Sequence, residues 1–321
     1  MIAASPLDVI LDDVFLELKG FLRSQRVYVK LEGFNFAGSI KLKTALGLVD
    51  QLESAGQAVP GRTEFVESSS GNLGVAVALV CKVRGYKFIC VSDPNISSSN
   101  ASLIRKLGAE LVIVRDRDIS GGYLHTRIAR VREFVAESPQ RIWLNQYGNR
   151  ANPDAHMKTT APAIFGHFPD LDFLFVGAGT TGTLMGCAQY VRAHELRTKV
   201  IAVDAVGSVT FGGPGGRRHI PGLGTSRRPE LLDESLLADV VIVPETETVE
   251  MCHLLLASYG ICLGGSSGTV LAGVTRYAQR MREGSTIVAI SPDLGDRYLE
   301  TVYNTAWLRD LNLIREGARD G

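Results

Sequence analysis

From about residue 27 onward, short runs rich in Val, Ile and Phe alternate with longer stretches whose small and apolar residues recur at helical spacing. That alternation leaves an α/β fold, a mostly parallel sheet covered by helices, as the class this chain can adopt. The spacing predicts strands at 27–31, 63–67, 87–91, 110–114, 142–145, 172–177, 200–204, 240–243 and 286–290, each bounded by Gly, Asp, Ser or Arg. About nine parallel strands are expected to divide into two sheets. Helical patterns fall at 73–83, 122–137, 182–194, 249–259 and 269–282.

The chain has 321 residues, 45% of them apolar and 21% charged, which excludes disorder and supplies a sizeable core. Thirty-four basic residues balance thirty-four acidic ones, so no net field draws nucleic acid or an anionic membrane, and the expected partners are small molecules. Five cysteines, without a C-x-x-C pair, sit mostly in apolar runs as reduced thiols do, which suits a cytoplasmic address. Asp8, Asp12, Asp13 and Glu17 break the first apolar residues, so the chain reads as mature protein without signal peptide or membrane span. The six histidines show no metal-ligand spacing, and no metal is expected.

Three glycine-rich corners carry the chemistry, because ligands in open α/β sheets sit where strands end and helix N–H groups point outward. The first is Glu67-Ser68-Ser69-Ser70-Gly71-Asn72-Leu73-Gly74, whose hydroxyls and amide are more than a helix cap needs and suit a carboxylate or phosphate. Next comes Gly177-Ala178-Gly179-Thr180-Thr181-Gly182-Thr183, suited to a phosphate monoester. It also matches the G-x-G-x-x-G dinucleotide fingerprint, with Asp204 where a ribose-binding acid is expected, but a full run of strands and helices precedes it, which argues against nicotinamide binding. At the third, Gly264-Gly265-Ser266-Ser267-Gly268, a flat ligand could approach the backbone before a helix expected to start near Thr269. The long irregular segment 207–228, with Arg217, Arg218, Arg227 and Arg228, reads as a lid or binding loop.

Lys41, in Asn35-Phe36-Ala37-Gly38-Ser39-Ile40-Lys41, stands between a strand and a helix, where a buried amine can form a Schiff base. Together these segments resemble, from about residue 25 to 300, the fold-type II pyridoxal 5′-phosphate enzymes of the cysteine synthase and cystathionine β-synthase group. The resemblance implies a Schiff base on Lys41 and a substrate-carboxylate site at Ser69, Ser70, Asn72 and Gln146, with Asn72 also touching the cofactor's phenolic oxygen. It further implies a phosphate loop at Gly179, Thr180, Thr181, Gly182 and Thr183, and Ser266 against the pyridine nitrogen. Two three-layer α/β/α domains follow from it, residues 1–40 with 146–321 forming the larger and 41–145 a smaller, mobile one, as does a homodimer.

Leu42-Lys43 replaces the Asp-Arg of cysteine synthases, and Phe36 stands at their motif proline, so the pocket departs from theirs. The runs Gly121-Gly122-Tyr123-Leu124-His125-Thr126-Arg127, 207–212 and 221–224 are similar to those of N-(2-amino-2-carboxyethyl)-L-glutamate synthases. That narrower resemblance implies β-replacement of O-phospho-L-serine by L-glutamate through an aminoacrylate, within 2,3-diaminopropionate biosynthesis. It assigns a glutamate carboxylate to Arg127, a place in the pocket wall to Tyr147, and an NAD-dependent dehydrogenase as the next enzyme. Cysteine synthesis is the alternative within the class; a non-catalytic cofactor- or dinucleotide-binding protein is the alternative outside it.

Overall fold

The computed structural model describes residues 2–118 and 121–314. In chain order the strands are β1 (Phe15–Glu17), β2 (Arg26–Leu31), β3 (Glu64–Ser68), β4 (Lys87–Ser92), β5 (Glu110–Ile113), β6 (Arg141–Trp143), β7 (Phe173–Gly177), β8 (Lys199–Ala205), β9 (Asp239–Val243) and β10 (Thr286–Ser291). The helices are α1 (Lys41–Ser54), α2 (Asn72–Arg84), α3 (Ser98–Lys106), α4 (Leu124–Glu137), α5 (Ala151–Lys158), α6 (Thr160–His167), α7 (Gly182–Ala193), α8 (Glu245–Tyr259), α9 (Gly265–Tyr277) and α10 (Thr305–Asp310). None of the helices among the described residues is long and apolar enough to cross a membrane.

Two sheets form, as the alternation requires. The larger has six strands in the order β1-β2-β10-β7-β8-β9, and the smaller four in the order β5-β4-β3-β6. All pairings are parallel except β1 with β2, which register antiparallel at Phe15 and Lys30. The nine strands expected from the sequence are present, and β1 is the addition.

Period-two alternation sends successive side chains to opposite faces, and each sheet is covered on both. On the larger sheet Val27, Val29, Phe175, Val203 and Ala289 pack with α9 residues such as Leu271 and Val274. Their neighbours Leu174, Val176, Ala202, Val288 and Ile290 pack with Ile164 of α6 and Leu184 of α7. On the smaller sheet Phe65, Phe88 and Cys90 meet α1 and α2, while Val66, Ile89 and Val91 meet Val131 and Phe134 of α4. Both units are therefore three-layered, and inner strands such as β7 and β10 read as near-continuous apolar runs because neither face meets water. Helix α2, buried continuously from Leu73 to Cys81, ends at Gly85, whose φ of 77° is the left-handed cap a glycine accepts without penalty.

Candidate active site

The lysine segment is shaped by its own asparagine. Asn35 Nδ2 donates to the carbonyls of Glu32 (3.1 Å) and Ser39 (3.0 Å), and its Oδ1 accepts from Ala37 N (3.0 Å). Ile40 N donates to Pro292 O at 2.8 Å, and Ser39 pairs with Asp293 in an isolated antiparallel bridge. Lys41, the first residue of α1, is thus held beside the segment that follows β10. Burial lowers the pKa of its amine, and the Asp293 carboxylate draws it part of the way back.

Across from it, β3 ends in the serine-rich loop that opens α2. The Ser69 hydroxyl accepts from Gly74 N (3.0 Å) and Gly71 N (3.3 Å), so this residue caps the helix as well as facing the loop. Ser68 Oγ is buried and has no partner, and Ser70 is half-buried. Gln146 donates its Nε2 to Ser68 O at 2.9 Å. Beneath the loop lies an acid that the sequence reading missed. Glu67, fully buried, accepts from Ser68 N (2.8 Å), Gln146 N (3.2 Å) and Trp143 Nε1 (3.4 Å). Burial pushes its pKa up to about 7, against those three donors and the charge of Arg127.

Arg127 lies in the first turns of α4, buried to 8% exposure rather than on a solvated helix face. Its Nε stands 3.3 Å from Asp93 Oδ2, too poorly aligned for a hydrogen bond, and Asp93 is fixed in turn by Asn95 N at 2.8 Å. The Tyr147 hydroxyl is raised by burial and feels Arg127, Glu67, Arg218 and Arg227.

At the end of β7, Thr181 has a φ of 65°, unusual for a β-branched residue, and starts α7. Its Oγ1 is buried without a partner. Thr180 Oγ1 accepts from Asn152 Nδ2 (3.2 Å), and Thr183 Oγ1 lies 3.3 Å from His156 Nε2. His156 is kept neutral by burial and by the charges of Lys43 and Lys41. The glycines here leave room for nothing larger: a Cβ on Gly179 would come to 3.1 Å from Gly222 O, and one on Gly222 to 3.1 Å from the Ser266 Cβ. The second and third corners thus share a wall. Helix α9 begins at Gly265 with Gly264 as its cap, not near Thr269, which places Ser266 inside the first turn.

In the long loop, Arg218 is half-buried and donates to the carbonyl of Gly207 and to Ser226 Oγ (3.3 Å). Arg227 pairs with Glu230, Arg228 pairs with Glu234, and Arg217 is exposed. Asp204 is fully buried; its Oδ1 accepts from Ala205 N at 2.8 Å, and its Oδ2 has no hydrogen-bond partner.

The donor set suits pyridoxal phosphate. A desolvated amine at Lys41 and an orphaned hydroxyl on Thr181 at the start of α7 are what an aldehyde-bearing phosphate monoester needs. Comparison with known proteins points the same way. The chain is 40% identical over 320 residues to N-(2-amino-2-carboxyethyl)-L-glutamate synthase of Ralstonia nicotianae, covering 99% of this chain and 94% of that one. It is similar to the crystal structure of O-ureido-L-serine synthase (TM-score 0.87, 32% identity, 100% and 98% of the two chains). A further likeness is to the O-acetylserine dependent cystathionine beta-synthase of Helicobacter pylori (TM-score 0.86, 28% identity, 94% and 98%). With the family model matching residues 15–293, this chain belongs to the pyridoxal-phosphate dependent enzymes.

Proposed function

We propose that the chain joins O-phospho-L-serine to L-glutamate with release of phosphate, giving N-(2-amino-2-carboxyethyl)-L-glutamate for 2,3-diaminopropionate biosynthesis in a siderophore or peptide-antibiotic pathway. The observation that carries this reading is Arg127, a residue buried to 8% exposure whose Nε faces Asp93 at 3.3 Å without a hydrogen bond. Glutamate brings two carboxylates that such a cation can meet, whereas sulfide brings none. The similarity to the Ralstonia enzyme of that name supports it.

Pyridoxal phosphate, when bound, supplies the electron sink for breaking bonds at the α and β carbons. Lys41, whose amine burial keeps from holding its proton tightly, takes the α proton as general base. Ser69, Ser70, Asn72 and the free N–H of Gln146 hold the α-carboxylate. Gly179, Thr180, Thr181, Gly182 and Thr183 hold the cofactor phosphate, and Ser266 offers the ring nitrogen a neutral hydroxyl. Tyr147 lines the pocket near Arg127.

In the same reading, residues 1–40 with 146–321 form the larger domain, and residues 41–145 a smaller one that moves over the substrate. The enzyme works in the cytoplasm, in keeping with its five free cysteines, as a homodimer that hands its product to an NAD-dependent dehydrogenase. The test is mass spectrometry of products from phosphoserine or acetylserine with glutamate or sulfide. The adduct of phosphoserine and glutamate is expected. Cysteine formed with sulfide in its place would make the chain a cysteine synthase, and preference for acetylserine would overturn the leaving group.

A further inference from the structure

The carboxylate that follows β10 is bound into the serine-loop corner by side chains far apart in sequence. Asn72 Nδ2 donates to Asp293 Oδ2 at 2.6 Å, and the Tyr298 hydroxyl donates to the same oxygen. Arg297 Nη1 donates to Asn72 Oδ1 at 2.8 Å, while its Nη2 donates to Ala37 O, also at 2.8 Å. Asp293 is 1% exposed, and its Oδ1 is buried without a partner. Gly38, with a φ of 67°, makes room for the guanidinium: a Cβ there would stand 2.6 Å from Arg297 Nη2.

An amide side chain can turn end for end at little cost unless its neighbours distinguish oxygen from nitrogen. Here a carboxylate accepts on one side and a guanidinium donates on the other, so only one orientation of Asn72 satisfies both. We propose that Asp293 and Arg297 are positioning residues that lock the Asn72 amide, leaving it a single free N–H to offer to an acceptor oxygen, the phenolate oxygen of the cofactor. Arg297 extends the lock to the lysine segment through Ala37, so that Lys41 and Asn72 are set relative to each other. The inference rests on Asn72 standing beside the cofactor, which is the reading proposed above.

The experiment strips the holoenzyme and reloads it with pyridoxal 5′-phosphate, comparing dissociation constants and the visible absorption maximum. Asp293→Asn and Arg297→Gln are each made alone and with Asn72→Ala. Each single change is expected to weaken reloading by about tenfold to a hundredfold, the scale on which a partner behind a ligand-contacting group acts, and to move the absorption band. In the Asn72→Ala background the same change should cost several-fold less than in the native one, the remainder being what Arg297 holds through Ala37 and Asp293 exerts on the Lys41 amine. Equal losses in both backgrounds, or none in the native one, would overturn the proposal. Arg297, half-buried, decides the matter if the Asp293 variant does not fold. Lys41→Ala serves as a separate control: a variant that keeps both its colour and its activity would take the Schiff base away from Lys41, and a native protein that takes up no pyridoxal 5′-phosphate would sink the cofactor site itself, results unlike any outcome of the cycle.

Discussion

Arg127 is a cation kept inside the protein, 3.3 Å from Asp93 and felt by Glu67, with its Nε lacking a hydrogen-bond partner. Arg127→Ala is expected to raise the glutamate requirement by about two orders of magnitude, the usual cost of deleting one member of a buried charged contact. Phosphate release from phosphoserine without glutamate should persist. Stopped-flow phosphate assays with and without glutamate check this, and an unchanged glutamate dependence would remove Arg127 from the site. Lys41, the serine loop and the threonine loop were legible because each is a contiguous motif. Glu67, Asp93, His156 and the lock around Asn72 were not, since their partners lie on other elements: Asn72 and Asp293 are 221 positions apart.

Helix α5 is wedged between two glycines. A Cβ on Gly47 of α1 would come to 2.7 Å from that of Ala155, and one on Gly186 of α7 to 2.4 Å from Pro153 O. These close approaches seat Asn152 and His156 against the threonine loop and against Thr44 of α1. Gly186→Ala is therefore expected to destabilise the protein by about 1–3 kcal/mol through overpacking, read as a lower urea midpoint. A midpoint unchanged would mean that α5 can shift without cost. The sequence showed nine strands because apolar, branched runs mark strands covered on both sides. It missed β1, in which Phe15 and Leu16 are half-buried and Glu17 is exposed, and it began α9 late, because glycine and serine are poor in helix interiors yet acceptable in a first turn.

For the molecule as a whole, Glu67 makes stability depend on pH. Its folded pKa of about 7 lies above the ordinary glutamate value of 4.5, so the folded state binds this proton more tightly than the unfolded state. The stability it contributes is full at low pH and declines as pH rises from about 4.5 through about 7. Between pH 5 and pH 8 the native protein should lose urea resistance relative to Glu67→Gln, which carries no titratable group there. Parallel pH profiles for the two proteins would show that Glu67 titrates normally.

Strand β2, which leads to Lys41, lies between β1 and β10, and its register with β10 joins Arg26 to Thr286. A nascent chain leaving the ribosome therefore carries its reactive amine without the neighbour that flanks β2 until β10 has emerged. Residues 64–143, by contrast, contain all four strands of the smaller sheet and can pair as soon as they emerge. Vitamin capture must wait until β10 has been translated, so a polypeptide terminated before that strand would carry its lysine without the neighbour that completes the sheet.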